Sequence, residues 1–285
     1  MSTQSSQYDS HFPSVRGNEA FPIERYDTGV FDPATLMPIA SQSKPGNTHI
    51  VSRSSSFWRE SLTLMQRHVT FGRRKVKADE PLYLCGESFD KLYLISSGLF
   101  KIVNLAQDGR EQPVGLYFKG DWLGFDGIPN GYYGCTAIAL DCAEVWTVRY
   151  DSLLQASIKE PILMRVMLAA MSAQLAHNRD VMLSMGTLTA DARVCDFLLQ
   201  WANSLAERGL RTDQFNVYLT RADIGHYLGL RLESVSRALT KLARCGIIQF
   251  NEKGRREISI PNLDALSDFI QKNSEPTVPA TQVLQ

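Results

Sequence analysis

The spacing of hydrophobic and polar residues changes in character along the chain, and its first regular pattern is that of a sheet. From about Arg73 to Tyr150, short alternating segments such as KLYLISSGLFKIVNL and TAIALDCAEVWTVRY are separated by turn residues. The dipeptide Asp108-Gly109 is typical of a hairpin turn. Three glycines mark further turns: Gly86, Gly98 and Gly120. Many short strands at this spacing predict an antiparallel β-roll or jelly roll.

A helical period replaces the strand pattern after Glu160-Pro161 and continues to about Met185. One face recurs in alternating steps of 4 and 3 residues, and we call it the seam: Met164, Leu168, Met171, Leu175, Asn178, Met182 and Met185. This heptad spacing predicts a parallel coiled coil across a twofold axis, in which the polar Asn178 would fix the register. The alternative is that the seam is buried against the chain's own roll. We expect the roll to bury the flanking residues Val166, Met167 and Val181.

Segments with helical spacing of apolar residues near the C-terminus predict a helix-turn-helix. A core helix is expected from Ala190 to Glu207, a strand from Phe215 to Leu219, and a helix N-cap at Thr220. In the stretch from Arg221 to Gly246, RADIGHYLGLRLESVSRALTKLARCG, two helical periods flank Gly229, which can adopt the positive φ of a tight turn. The packing face is formed by Ile224, Leu228, Leu230, Val235 and Leu239, and Gly225 allows close approach.

The outward face of the second helix carries the candidate DNA contacts. With Arg221 of the first helix, these are Arg231, Glu233, Ser234, Ser236, Arg237, Lys241 and Arg244. Such side chains contact phosphates and base edges in a major groove. Strands at 247–250 and 256–260 then predict a hairpin wing, with Lys253 and Arg255 near its tip in reach of phosphate. The alternative is an ordinary helical hairpin whose charges, like those of the turn, are only solvated.

These motifs resemble the CRP/FNR family of bacterial transcription regulators, and most closely its fumarate-nitrate-reduction branch. The likeness covers roughly residues 75–270, and it rests above all on Glu233-Ser234-Val235-Ser236-Arg237 in the recognition helix. It implies an α+β fold of β-roll, dimerisation helix and winged helix-turn-helix. It also implies a homodimer that reads inverted repeats of TTGAT or TTGAC half-sites through Glu233, Ser236 and Arg237. Activation through RNA polymerase is the expected outcome.

The chain divides on these grounds into five predicted parts. They are a Ser-rich disordered extension at 1–56, the roll at 57–154, the dimerisation helix at 155–186, the DNA-binding domain at 187–272 and a flexible tail at 273–285. The net charge is zero, so any DNA affinity must come from a local basic patch. Without a long apolar run or an apolar signal segment, we expect a cytoplasmic protein with no membrane partner.

No cofactor or metal is predicted. Residues 1–84 contain no Cys, and Trp146 stands where the resembling branch has its sensor-domain ligand, so we expect no iron-sulfur cluster of that type. The family's ribose-binding and phosphate-binding segments align with Gly124-Phe125-Asp126 and Tyr133-Gly134, which lack the Arg that would pair the phosphate. We therefore expect no usual cyclic-AMP site, and the histidines have no metal-ligand spacing.

The five cysteines leave a redox alternative open. Cys135 and Cys142 are candidates for a redox pair, and Cys245 beside the recognition helix is a candidate oxidation switch. The alternative is that they are small buried hydrophobic residues. A regulator gated by thiol oxidation or by an unknown small molecule is thus a second hypothesis. An enzyme with an appended DNA-binding domain, and a module that binds protein rather than DNA, are rivals from other classes.

Overall fold

The protein is described from a computed structural model, which places residues 62–63, 65–105, 109, 111–251 and 256–274. The predicted extension at 1–56 and the part of the predicted tail beyond Ser274 lie outside the described residues. All described residues belong to one compact unit, 49–285. None of the helices in these ranges combines the length and hydropathy that a membrane span requires.

The roll consists of two antiparallel sheets. Its described strands are β1 Gly72–Val76, β2 Pro81–Tyr83, β3 Lys91–Ser97, β4 Phe100–Leu105, β5 Glu111–Tyr117, β6 Trp122–Leu123, β7 Thr136–Ala139 and β8 Ala143–Arg149. One sheet has the order β1-β8-β3-β6 and the other the order β2-β7-β4-β5. The antiparallel roll predicted from the alternating segments is confirmed.

The sequence of strand β3 is a nearly continuous apolar run, and the structure gives the reason. Tyr93 and Ile95 are buried in the core between the two sheets. Leu92 and Leu94, which point to the opposite face, are buried in a second cluster with residues of the following helices. Since both faces of β3 are covered, it lacks the polar alternation of a strand with one solvated face.

The predicted turns are found where the glycines stand. Gly86, Gly98 and Gly120 all have positive φ angles, of +85°, +86° and +89°. At Gly98 a Cβ atom would lie 2.5 Å from the Cβ of Ala143, so both the backbone angle and the space require glycine. Strands β4 and β5 pair as the hairpin predicted around Gly109, which itself has a φ of +79°.

Two helices follow the roll. Helix α1, Tyr150–Lys159, begins inside the range predicted for the roll and was not expected from the sequence. Helix α2, Ile162–Thr187, confirms the predicted long helix. Val166 and Met167 are buried against the roll as expected. Val181 instead packs on the core that contains the DNA-binding domain, because the helix has passed beyond the β3 face by that point.

The C-terminal part is a winged helix-turn-helix. Its elements are α3 Ala190–Ala206, β9 Gln214–Asn216, α4 Arg221–Leu228, α5 Leu232–Arg244, β10 Gln249–Phe250, β11 Glu257–Ser259 and α6 Leu263–Lys272. The small sheet has the order β10-β11-β9. Its strands are shorter than predicted, and α6 was not predicted as an element; it is capped by Asn262 and buries Leu266 completely.

The roll and the DNA-binding domain share one apolar cluster. Leu99, Leu116 and Leu140 of the roll lie in the same cluster as the core of the winged helix-turn-helix. A buried ion pair supports this junction: the Arg208 guanidinium is 3.1 Å from the Asp121 carboxylate, with only 6% and 7% of the two side chains exposed. The two predicted domains therefore pack against each other within the described chain.

Candidate nucleic-acid interface

The first helix of the helix-turn-helix begins at a complete capping box. The Thr220 side chain accepts a hydrogen bond from the backbone N–H of Asp223 at 3.0 Å, and the Asp223 carboxylate accepts from the N–H of Thr220 at 3.2 Å. Two backbone donors at the helix end are thereby satisfied, which confirms the predicted N-cap and fixes the start of α4.

The turn between α4 and α5 requires two glycines for different reasons. Gly229 has φ +66° and ψ +35°, a left-handed conformation that side chains with a Cβ rarely adopt. Gly225 lies inside α4, where a Cβ atom would be 2.7 Å from the carbonyl oxygen of Leu230. The N–H of Leu230 also donates to the Gly225 carbonyl at 2.7 Å. Both predicted roles of glycine are confirmed, and together they fix the angle at which α5 leaves the turn.

Helix α5 separates an apolar face from a polar face. Val235, Ala238, Leu239 and Leu242 are at most 4% exposed and join the domain core. On the opposite side Arg231, Glu233, Arg237 and Arg244 are exposed, while Ser234 and Ser236 are half-buried. Because the buried residues hold the helix by one face only, the candidate DNA-reading side chains remain on the outer face.

A groove of about 550 Å³ runs between this polar face and the start of α3. The described residues that line it are Ala190, Asp191, Ser234, Ser236, Arg237, Thr240, Lys241 and Arg244. The predicted DNA contacts among them thus face one shared concave surface, with three cations and one carboxylate. The N-terminus of α3, where the Thr189 hydroxyl accepts from the N–H of Ala192, adds the partial positive charge of a helix start.

Lys241 is less available than the sequence indicates. Its ammonium pairs with the Asp191 carboxylate, and it lies 5.6 Å from the centre of the Phe269 ring. The residue was predicted as an outward DNA contact, whereas the structure uses it to join α5 to α3 and α6. The sequence does not reveal this pairing, because Asp191 is fifty positions away and no local spacing reports such a contact.

Arg221 joins the first helix to the wing. Its guanidinium carbon lies 5.9 Å from the ring centre of Phe250 on β10. The predicted wing contacts Lys253 and Arg255 lie outside the described residues. Strands β10 and β11 pair antiparallel on either side of that turn, so the base of a hairpin wing is in place.

The seam of helix α2 is partly uncovered, with exposed members at intervals along the helix. Three apolar residues of the seam, spaced seven residues apart, have exposed side chains: Leu168 at 57%, Leu175 at 64% and Met182 at 71%. Met164, Met171 and Met185 are half-buried, whereas Asn178 is exposed. The helix is tied to the roll on another face, where the Gln174 amide donates to the Trp122 carbonyl at 2.6 Å.

A two-residue junction connects α2 to the DNA-binding domain. Leu188 and Thr189 are extended between the two helices. Leu188 forms a β-bridge with Ser274, and the Thr189 hydroxyl donates to the carbonyl of Asn273 at 2.9 Å. The first residues of the predicted flexible tail are therefore part of this junction, because their backbone pairs with it.

Asp196 lies just beyond the same junction. Its carboxylate accepts hydrogen bonds from the Ser184 hydroxyl at 2.8 Å and the Gln200 amide at 2.7 Å. Burial raises the pKa of Asp196 despite these two donors. The end of α2 is thereby fastened to α3 by a carboxylate whose charged form is partly desolvated.

The structure separates the two cysteines predicted as a redox pair. Cys135 precedes β7 and Cys142 follows it, so a four-residue strand lies between them. At about 3.3 Å per residue that strand alone spans about 13 Å, well beyond the reach of a disulfide. Cys142 and Cys245 are exposed, whereas Cys135 is buried. This geometry disfavours the candidate disulfide between Cys135 and Cys142 and leaves the alternative, small apolar side chains, for the buried Cys135.

Comparison with known proteins agrees with this architecture. A cyclic nucleotide-binding domain model matches residues 73–159, and a Crp-like helix-turn-helix domain model matches residues 192–269. The fumarate and nitrate reduction regulatory protein of Escherichia coli (strain K12) is 31% identical over 197 residues, which cover 69% of this chain and 78% of that protein. The protein of the same name from Salmonella typhimurium is 31% identical over 195 residues, 68% of this chain and 77% of its own length.

The chain belongs to the CRP/FNR family. This CRP/FNR regulator is similar to the solved structure of FixK2 from Bradyrhizobium japonicum, with a TM-score of 0.62, 31% identity, and coverage of 70% of this chain and 97% of that one. Its fold is also that of a CRP-family transcriptional regulator from Thermus thermophilus, with a TM-score of 0.56, 21% identity, and coverage of 72% of this chain and 100% of that one. It is a DNA-binding transcription regulator, and its relatives are not enzymes.

Membership of this family raises the question of whether a cyclic nucleotide fits the roll. In this CRP/FNR regulator the space between the sheets holds three packed tyrosine rings, with Tyr83 centred 4.1 Å from Tyr133 and 5.6 Å from Tyr93. The segment aligned with the phosphate site places the Asp126 carboxylate 2.7 Å from the N–H of Gly134. A cyclic phosphate there would meet the Asp126 carboxylate, and neither Tyr133 nor Gly134 supplies a guanidinium to pair with it.

The residues described also hold no group of three or more His, Cys, Asp or Glu side chains arranged to bind a metal ion. Trp146, at the position aligned with a cluster ligand in the resembling branch, packs its ring against Phe71, with the ring centres 6.1 Å apart. The guanidinium of Arg73 lies 5.5 Å from the centre of the same ring. An aromatic contact thus takes the place of a thiolate at this position.

Proposed function

We propose that this regulator binds, as a homodimer, to inverted repeats of TTGAT or TTGAC half-sites and activates transcription by recruiting RNA polymerase. The single observation that carries the proposal is the outer face of α5, where Glu233 and Arg237 are exposed and Ser236 lies at the edge of the groove. Arg can bond a guanine through two hydrogen bonds, and Glu can accept from the amino group of cytosine. A TTGAT half-site offers a guanine on one strand and its cytosine on the other.

The uncovered seam supports the homodimer. Apolar side chains at seven-residue intervals remain exposed on a long helix whose other face is packed against the roll. A second copy of the same helix would cover Leu168, Leu175 and Met182 in a parallel pair. The twofold axis would then place two α5 helices in successive major grooves, roughly one helical turn apart, which demands an inverted repeat.

The proposal includes no cyclic-AMP requirement and no iron-sulfur cluster of the fumarate-nitrate-reduction type. The tyrosine packing inside the roll and the carboxylate of Asp126 support the first part. The lack of Cys in residues 1–84 and the Trp at position 146 support the second. Activity would then depend on the amount of protein or on another signal, and it would be exerted in the cytoplasm, where the DNA is.

Base reading is tested by single substitutions on α5. Replacing Glu233 or Arg237 by Ala is expected to weaken binding to the repeat by about 1–3 kcal/mol and to relax selection at one base position. Arg149→Ala is the charge-matched control for Arg237→Ala, since Arg149 is an exposed cation on the roll. Binding would be measured by fluorescence anisotropy against all single-base variants of one half-site. An unchanged base profile for both variants would contradict the assignment.

Dimerisation is tested separately on α2. Leu175→Asp is expected to convert the protein to a monomer in analytical ultracentrifugation and to abolish tight binding to the repeat. Ile158→Asp is the matched control, because Ile158 is a 74% exposed apolar residue outside the seam. A dimer that survives Leu175→Asp with unchanged affinity would show that the interface lies elsewhere.

A further inference from the structure

Cys85 and Cys135 lie at matching register positions of two neighbouring segments of the roll. Tyr83 pairs with Ala137 on one side of them, and Ser88 forms a bridge with Tyr132 on the other. Four residues, 84–87 and 133–136, separate these two pairings on each side. Counting inward from either pairing therefore places Cys85 opposite Cys135, although fifty positions separate them in the sequence.

Hydrogen bonds hold Cys85 to the two chain neighbours of Cys135. The Cys85 thiol donates to the carbonyl of Gly134 at 3.4 Å, and its backbone N–H donates to the hydroxyl of Thr136 at 3.0 Å. Cys85 lies in a turn, because the N–H of Glu87 donates to the carbonyl of Leu84 at 3.1 Å. Its proximity to Cys135 therefore rests on these two hydrogen bonds to Gly134 and Thr136 rather than on a regular strand spacing. A disulfide between them requires about 4.4–6.8 Å between the two Cα atoms.

The two thiols have different surroundings. Cys85 is exposed, whereas Cys135 is buried at the edge of the tyrosine cluster. The Cys135 thiol donates to the Asp126 carboxylate, with 3.1 Å between sulfur and oxygen. Burial and that carboxylate raise the pKa of the Cys135 thiol. Cys85 is thus open to a dissolved oxidant, and Cys135 has a proton acceptor beside it.

We propose that Cys85 and Cys135 form an oxidation site at which a hydroperoxide closes an intramolecular disulfide. The sulfur of Cys85, as thiolate, attacks the peroxide oxygen, which gives a sulfenic acid and releases water or an alcohol. The sulfur of Cys135 then attacks the sulfur of Cys85 while its proton passes to Asp126, and hydroxide leaves and takes up a proton as water. Two thiols and one hydroperoxide are converted to one disulfide, one water and one water or alcohol, so the two electrons balance.

The remaining cysteines lack this arrangement. Cys142 and Cys245 are exposed, but neither stands opposite another cysteine in a described strand pair. Cys195 is buried in the DNA-binding domain, where its thiol donates to the carbonyl of Leu266 at 3.4 Å. Selective oxidation is therefore expected at one pair out of five cysteines.

The test is oxidation of the reduced full-length protein with hydrogen peroxide, followed by alkylation, digestion and mass spectrometry. We expect a cross-linked peptide that joins Cys85 to Cys135, with a mass about 2 Da below that of the two reduced peptides. Cys142→Ser is the matched control and should give the same cross-link, since it removes an exposed cysteine of the same roll. Cys85→Ser should leave Cys135 reduced at the same peroxide dose.

Two further variants separate the steps. In Cys135→Ser, the sulfenic acid of Cys85 should persist, and its dimedone adduct should increase about tenfold over the wild type. Asp126→Asn keeps the shape of the side chain, removes the proton acceptor and also removes a charge that raises the pKa of Cys135, so an adduct above the wild-type level would show that proton acceptance by Asp126 dominates. A wild-type protein that forms no Cys85–Cys135 cross-link, or whose cross-links join two chains or involve Cys142, would overturn the proposal.

Discussion

The junction between the roll and the DNA-binding domain should depend strongly on the Asp121 carboxylate. Arg208 donates to the carbonyl oxygens of Lys119 and Ser204, both at 2.6 Å, and to Asp121 at 3.1 Å. Its guanidinium carbon also lies 5.1 Å from the centre of the Phe118 ring. In Asp121→Ala the two carbonyl contacts and the ion pair with Glu207 can remain, but the buried cation loses the closer of its two carboxylates.

The size of the expected loss of stability follows from the burial of the Arg208–Asp121 pair. Removal of one partner of a buried ion pair costs about 3–5 kcal/mol, because the other charge stays desolvated and uncompensated. Two carbonyl oxygens still accept from Arg208, and the Glu207 carboxylate stays 3.6 Å from its guanidinium. We therefore expect Asp121→Ala to lose about 3 kcal/mol, the lower end of that range. The free energy of unfolding would be measured by urea titration, with tryptophan fluorescence as the signal.

A second Arg–Asp pair supplies the control. Arg211 and Asp213 are 2.6 Å apart, yet 65% and 58% of their side chains are exposed. Exposed pairs contribute little because water and salt screen them and ordering two side chains costs entropy. Asp213→Ala should therefore destabilise far less than Asp121→Ala. Equal losses in the two variants would refute the reasoning that burial, rather than the salt-bridge distance, determines the strength of this junction.

Two other expectations concern stability. Asp196→Asn should raise the free energy of unfolding at pH 7, since burial raises the pKa of Asp196 and the folded state holds its charged form at a cost. That gain in stability should shrink as the pH falls through the raised pKa toward the ordinary 3.8. A gain that grows on acidification would contradict a raised pKa for Asp196. Gly225→Ala should lower both stability and DNA affinity more than Gly229→Ala does. A Cβ atom at position 225 would lie 2.7 Å from the Leu230 carbonyl oxygen. A Cβ atom at position 229 would meet open space, so that variant costs only about 1 kcal/mol through its positive φ. Thermal unfolding and anisotropy would rank them, and the reverse order would count against the steric argument.

Features that depend on local chemistry could be predicted from the sequence. The capping box at Thr220 and the turn at Gly229 each follow from residues within a few positions of one another. The long helix α2 was equally predictable, since its period extends over many residues. Such elements need no knowledge of tertiary contacts, because propensity, periodicity and turn chemistry act over short segments.

Features that depend on tertiary contacts could not be predicted. Lys241 is the same residue whether it faces DNA or pairs with Asp191, and only the packing of α3 on α5 decides between them. The matching register of Cys85 and Cys135 depends on the pairing of distant segments, which the sequence does not display, and the candidate pair that the sequence suggested was Cys135 with Cys142. The unexpected helix α6 carries a clear cap at Asn262, a local signal that could have revealed it.

The most direct test of the proposed DNA reading uses the reduced, full-length protein without any added ligand. Its affinity would be measured for a duplex that contains TTGAT-N4-ATCAA and for a scrambled duplex of the same composition, at one salt concentration. We predict tight and selective binding, with two protomers on each specific duplex. Equal affinity for the two duplexes, or a requirement for cyclic AMP before either is bound, would contradict the account.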